Sequence, residues 1–190
     1  MNKIKLGMKL DIGAGNPEEG ENQAGNDYVL QDVAPHPGID IVCDIRRLDY
    51  ELISTFQKLI GEGRSDVCSE IRASHVLEHF HSKELNTNIL PMLKNCLQTG
   101  GILNIIVPNF AWHCDLVRQG HDEKAVYYAF GGGRDEFDIH FTGWTPKLGV
   151  EWLKKAGFEI TSAFPPLMIY AKPLTMESIA RVAIKGLIRR

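Results

Sequence analysis

Several things are scarce in this sequence, and each scarcity closes a route. Cysteine is scarce: there are four in 190 residues, and no two form a C-x-x-C pair. Cys43, Cys68, Cys96 and Cys114 therefore read as buried or incidental thiols of a reducing compartment. A basic excess is absent. Lys and Arg number 21 against 24 Asp and Glu, a formal net charge of -3. No nucleic-acid footprint covers the chain, and nucleic acid is not an expected partner. No run approaches the roughly 20 apolar residues of a membrane span. The start, MNKIKLGMKLDIGAG, has no apolar stretch of signal-peptide length, so the expected location is cytoplasmic. Internal repeats and low-complexity segments are missing as well.

What is present is an ordinary globular composition, 44% hydrophobic and 24% charged. The length fits one domain with a sizeable core. Short apolar runs alternate with helical patterns. "KLDIGAG", "YVLQDV", "IDIVCDI", "VCSEIRASH" and "ILNIIVPN" read as strands. "LDYELISTFQKLI" has helical spacing. "SKELNTNILPMLKNCLQTGG" is a helix with a Ser start and a Gly-Gly stop, and Pro91 predicts a kink or break in it. Phe110 to Gly143 is a polar and aromatic region without a clear period. "TPKLGVEWLKKAGF" is a helix with an early Pro. "FEITSAF" and "LMIYAK" are two last strands. The expected organisation is a domain over 1–173, followed by a basic amphipathic helix over 174–190. That helix can dock on the domain or on a second subunit, or meet an anionic membrane surface. Docking is favoured, because apolar faces of terminal helices usually complete a core. The oligomeric state is left open.

Alternating strands and helices argue for an α/β fold with a mainly parallel sheet, whose ligands sit beyond the carboxyl ends of the strands. Polar clusters stand at those ends: Gly13 to Gly15, Asp32, Asp44, Ser74 to His75, and Pro108 to Asn109. Gly13-Ala14-Gly15 with Asp32 seventeen residues after Gly15 suggests a dinucleotide, whose ribose acid stands roughly 20 residues on. The rest of that fingerprint fails. Glu18 stands where G-x-G-x-x-G needs glycine, and Glu18 with Glu19 puts carboxylates where a pyrophosphate would approach. A nucleoside without phosphates fits better.

The ordered set "LDIGAG", "YVLQDV", "IVCDI", "ASHVLEH" and "GGILNIIVPN" resembles the class I S-adenosylmethionine-dependent methyltransferases. It is most similar to the small predicted methyltransferases linked to lipopolysaccharide or surface-polysaccharide biosynthesis. "YYAFGGGRDEFDIHFTGWTPKLGVEWLKKAGF" extends the likeness, which spans roughly residues 9 to 158. The resemblance implies a Rossmann-like, doubly wound, three-layer α/β/α fold with an antiparallel last strand. It implies S-adenosyl-L-methionine as cofactor and a small-molecule or glycan-type acceptor, methylated on oxygen. Asp11, Gly13, Ala14 and Gly15 would form the turn against the methionine part. Asp32, followed by Val33, would accept from the ribose hydroxyls. Asp44 and Ile45 would flank the adenine, and Ser74 and His75 would line the floor near the methyl. Taken alone, Asp32 and Asp44 are as readily loop and cap residues. The alternative function is a binding module that holds the cofactor or its product without turnover. A nicotinamide-dependent oxidoreductase is weakened by Glu18.

"SHVLEHFH" also spells H-x-x-E-H, a zinc-peptidase pattern, through His75, Glu78 and His79. The pattern needs both histidines on one helix face and a third ligand elsewhere. "EIRASH" reads as a strand, so His75 should stand at a strand-to-helix turn. His113, His121 and His140 are only candidates for a third ligand, and no metal is expected. Glu78 and His79 are expected to hold the turn or touch ligand indirectly. An oxygen acceptor benefits from a general base. His140, in "DEFDIHFTGW", is the first candidate, His75 the second and His113 the third; the alternative for His140 is packing or hydrogen bonding within its loop. Gly131-Gly132-Gly133 is a lid hinge or a plain connection. Phe141 and Trp144 form an apolar wall for the acceptor, or simply core.

Overall fold

A computed structural model describes residues 3–19, 24–133, 137–164 and 168–173. The basic helix expected over 174–190 lies outside the described residues. Seven strands form one sheet: β1 (Met8–Ile12), β2 (Tyr28–Asp32), β3 (Ile41–Val42), β4 (Cys68–Ser74), β5 (Leu97–Ile106), β6 (Phe158–Phe164) and β7 (Met168–Pro173). Their order is β3-β2-β1-β4-β5-β7-β6. The first five pair in parallel, and β7 runs antiparallel between β5 and β6. The flanking helices are α1 (Leu48–Ile60), α2 (Ser82–Glu84), α3 (Leu90–Cys96), α4 (Phe110–Arg118), α5 (Asp122–Phe130) and α6 (Pro146–Lys155). Among the described residues no helix is long and apolar enough to cross a membrane.

The central strands β1 and β4 bury their apolar residues at alternate positions, with polar side chains such as Lys9, Glu70 and Arg72 between them. Met8, Leu10 and Ile12 of β1 and Cys68, Ile71 and Ala73 of β4 are all buried. Helix α1 shows why its segment is helical. Leu48, Leu52 and Phe56 recur every four residues and are buried, Asp49 and Glu51 occupy the first turn, and Gly61 ends the helix at φ 75°. All four cysteines are free thiols, two of them buried. Burial pushes the Cys68 thiol up to about 12.

Four local expectations change. The strand expected over "IDIVCDI" is only the two-residue β3 at the sheet edge. The helix around Pro91 is not broken but widened: Leu85–Ile89 is π-helical between α2 and α3. Pro91 has no N–H for the regular ladder, and the wide turn accommodates that. Gly100-Gly101 does not stop this helix, which ends at Cys96. The pair lies inside β5, where a Cβ on Gly101 would come within 3.0 Å of the Gln98 carbonyl oxygen and the Leu97 side chain. The aperiodic stretch after Phe110 contains α4 and α5. Asn109 starts α4, its Oδ1 accepting from Ala111 N at 3.1 Å.

Candidate functional site

Two turns meet where the strands exit. The turn after β1 needs glycine twice, at Gly13 (φ 60°) and Gly15 (φ 67°). A Cβ on Gly13 would lie 2.5 Å from Val76 Cγ2, so the β1 turn rests directly on the turn after β4. That second turn is strained. His75 has φ 55°, the one positive φ outside glycine among the described residues, and its N–H donates to the Ile106 carbonyl at 2.8 Å. The chain then enters a 3-10 turn, Leu77–His79.

A first cavity of about 340 Å³ opens over these turns. Gly13, Gly15, Asp32, Val33, Asp44, Ile45 and His75 all line it. The Asp32 carboxylate fastens its floor: Oδ2 accepts from Gly15 N and Oδ1 from Ala34 N, both at 2.9 Å. Each oxygen retains accepting capacity for a ligand. Asp44 caps the 3-10 turn Ile45–Arg47 through Arg46 N, so its cap reading and its place in the cavity wall hold together. Three expected residues support the wall rather than line it. Asp11 is buried and its carboxylate takes the Arg72 guanidinium at 2.8 Å. Ala14 is buried, and its N–H donates to the Gln31 carbonyl. Ser74 ends β4 beside His75. Sequence reasoning missed Gln31, whose amide bonds Gly13 N at 3.4 Å and the Cys43 carbonyl at 2.6 Å. It also missed Arg46, which bonds Glu84 and lies over the Phe80 ring at 4.9 Å. Neither belongs to a spaced motif; only their strand-end neighbours pointed to them.

A second cavity, of about 740 Å³, lies on the other side of His75. It is lined by His75, the β5 exit from Ile106 to Asn109, and Trp112, His113, Tyr128 and His140. His75 is the one residue shared by the two cavities. Burial holds the His140 imidazole below its ordinary range, with His79 pushing the same way and Glu78 opposing. Burial likewise lowers His113, which is only 4% exposed and stacks on Tyr128. Phe141 lines the first cavity, whereas Trp144 is fully buried and packs on Trp152, the core reading of that residue. Gly131 fits neither expected role simply: a Cβ there would collide with the Asp138 carbonyl, so glycine permits a close approach at this point.

No family model matches the chain, and no curated protein matches it in sequence. Solved structures do. An S-adenosylmethionine-dependent methyltransferase of Methanosarcina mazei superposes with TM-score 0.55 at 18% identity, covering 92% of this chain and 96% of that one. A protein of Pyrococcus horikoshii gives 0.56 at 17%, with 90% and 83% covered. The 1,6-didemethyltoxoflavin-N1-methyltransferase of Burkholderia thailandensis, solved with 1,6-didemethyltoxoflavin and S-adenosylhomocysteine bound, gives 0.53 at 15%, with 90% and 72% covered. The chain has the class I methyltransferase fold. In this methyltransferase fold the antiparallel β7 is the antiparallel last strand that the resemblance implies. Between β1 and β2, however, the described residues contain only the 3-10 turn Pro17–Glu19 and no α-helix.

Proposed function

We propose that the protein is an S-adenosylmethionine-dependent methyltransferase acting on a small-molecule or glycan-type acceptor at oxygen. The carrying observation is the position of His75 between two cavities of different make. The first fits an adenosyl ligand. Its volume is within the roughly 300–1,000 Å³ of small-ligand sites. It offers a carboxylate, Asp32, for ribose hydroxyls, and glycine main chain for close approach.

When bound, S-adenosylmethionine would supply an activated methyl group on its sulfonium sulfur for displacement by the acceptor oxygen. The chain's own residues position the acceptor and take its proton. In this reading Trp112 and Tyr128 flank the acceptor with flat apolar faces. His140 holds the reacting oxygen. Its Nδ1 lies 3.2 Å from the Tyr128 carbonyl, which leaves Nε2 to face the acceptor. His75, which borders both cavities, removes the proton. The sequence ranks His140 above His75 as base; we reverse that order because His75 borders both cavities and His140 only the second.

Calorimetric titration with S-adenosylmethionine, S-adenosylhomocysteine and NAD tests the cofactor. One-site binding of the two adenosyl ligands and none of NAD is expected. Asp32→Ala should weaken that binding about 100-fold, the loss of two hydrogen bonds to a charged group. Turnover of a surface-polysaccharide precursor tests the acceptor class. Cofactor binding without any turnover would favour the binding-module alternative.

A further inference from the structure

The H-x-x-E-H stretch does not place its residues as a zinc peptidase would. His75 stands before the 3-10 turn in a left-handed conformation, and only Glu78 and His79 lie within it. A third group arrives from elsewhere. Phe141 N and Thr142 N both donate to the Glu78 carbonyl, at 2.9 and 3.1 Å, and Thr142 Oγ1 donates to the Phe80 carbonyl at 2.6 Å. These bonds carry His140 onto His79, with ring centroids 4.9 Å apart. One ligating atom from each of Glu78, His79 and His140 lies within 4.8 Å of the others.

Two independent features prepare this cluster for a cation. Glu78 is 1% exposed, and neither carboxylate oxygen has a hydrogen-bond partner. Its nearest cationic candidate, His75 Nδ1, is 3.4 Å away, long for a hydrogen bond. A carboxylate buried this way costs several kcal/mol unless a positive charge joins it. The second feature is the setting of the two rings. His79 Nδ1 lies 3.0 Å from the Ile139 carbonyl, and His140 Nδ1 lies 3.2 Å from the Tyr128 carbonyl. A carbonyl oxygen only accepts, so Nδ1 carries the proton in both rings and Nε2 keeps the lone pair. That outer hydrogen bond is the usual device for orienting a metal-binding histidine.

We propose that Glu78, His79 and His140 bind a divalent first-row transition-metal ion, of which zinc is the working probe. Two imidazoles and one carboxylate suit such an ion and leave further coordination positions open. Ligand atoms on a tetrahedral zinc ion stand about 3.4 Å apart, so the three groups draw together when the ion binds. His79 lines the first cavity and His140 the second, which puts the ion at the wall between them. An ion there takes the His140 Nε2 lone pair and holds an oxygen acceptor in its place, while His75 stays outside the set. Metal binding does not depend on the methyltransferase reading and is measured without cofactor.

The test is zinc titration of chelator-stripped protein by calorimetry, with melting temperature and the visible bands of the cobalt(II) form as further readouts. One zinc per chain is expected, with a raised melting temperature. Glu78→Gln, His79→Ala and His140→Ala should each weaken binding about 100-fold or more. His81→Ala, an exposed neighbouring histidine, should leave it unchanged. Circular dichroism of each stripped variant establishes that it is folded. No saturable zinc binding by the unmutated chain would overturn the proposal. So would affinity that persists in His79→Ala and Glu78→Gln, or that falls equally in His81→Ala.

Discussion

Around the first cavity, the Gly13 and Gly15 N–H groups after β1 donate to the side-chain oxygens of Gln31 and Asp32 on the adjacent parallel strand β2. Around the second, Trp112, His113 and Tyr128 project from α4 and α5 and meet as rings, with centroids 5.5 to 6.1 Å apart. The first region is made by sheet geometry, and its residues have few alternatives. The second is made by side chains on two short helices, where Trp112 is 45% and Tyr128 38% exposed. On the proposed reading the first, sheet-built wall takes the cofactor and the second takes the acceptor, because ring positions can change there without disturbing the sheet.

Breaking the first region should have the largest effect. Gly13→Ala forces a side chain into φ 60° and onto Val76. A loss of about 3 kcal/mol in unfolding free energy is expected from the two causes together, with loss of S-adenosylmethionine binding. Denaturant unfolding and calorimetry measure both; unchanged stability would show that the two turns can part. A smaller effect is expected from Trp112→Ala in the second region. Stability should fall by no more than about 1 kcal/mol, and cofactor affinity should stay within about twofold, because the residue touches only the second cavity. A large loss of cofactor affinity would merge the two regions into one. The smallest effect belongs to pH. Burial lowers the His113 pKa, so the unfolded chain binds the proton more readily than the folded one. The associated stability is present above the ordinary histidine value of about 6.5 and is lost as pH falls through it towards the folded value. His113→Phe should flatten that part of the stability curve in thermal melts between about pH 7 and 5.

The contrast between the regions also explains what the sequence made legible. The parallel strands show as β-branched and apolar stretches that end on polar residues or glycine, and Gly13, Gly15, Asp32, Asp44 and His75 follow from those ends alone. Helices α4 and α5 were harder to see. Their aromatics serve a cavity and a surface, with Phe110, Trp112, Val126 and Tyr127 exposed, so no clean apolar stripe forms. The Asn109 cap was the local signal for α4. The meeting of His79 and His140 has no local signal at all. It depends on Phe141 N and Thr142 N finding the Glu78 carbonyl 63 and 64 residues back in the chain (141 − 78 and 142 − 78), a pairing that no spacing rule encodes.

The place of β7 carries a consequence for how the chain reaches this state during synthesis. Strands β5 and β6 do not pair with each other; each is paired to β7, which follows both in the sequence. A ribosome that has released residues up to Phe164 has therefore produced five paired strands whose outer member, β5, still presents a row of open N–H and C=O groups. That open row is a template for a neighbouring nascent chain until Met168–Pro173 emerges.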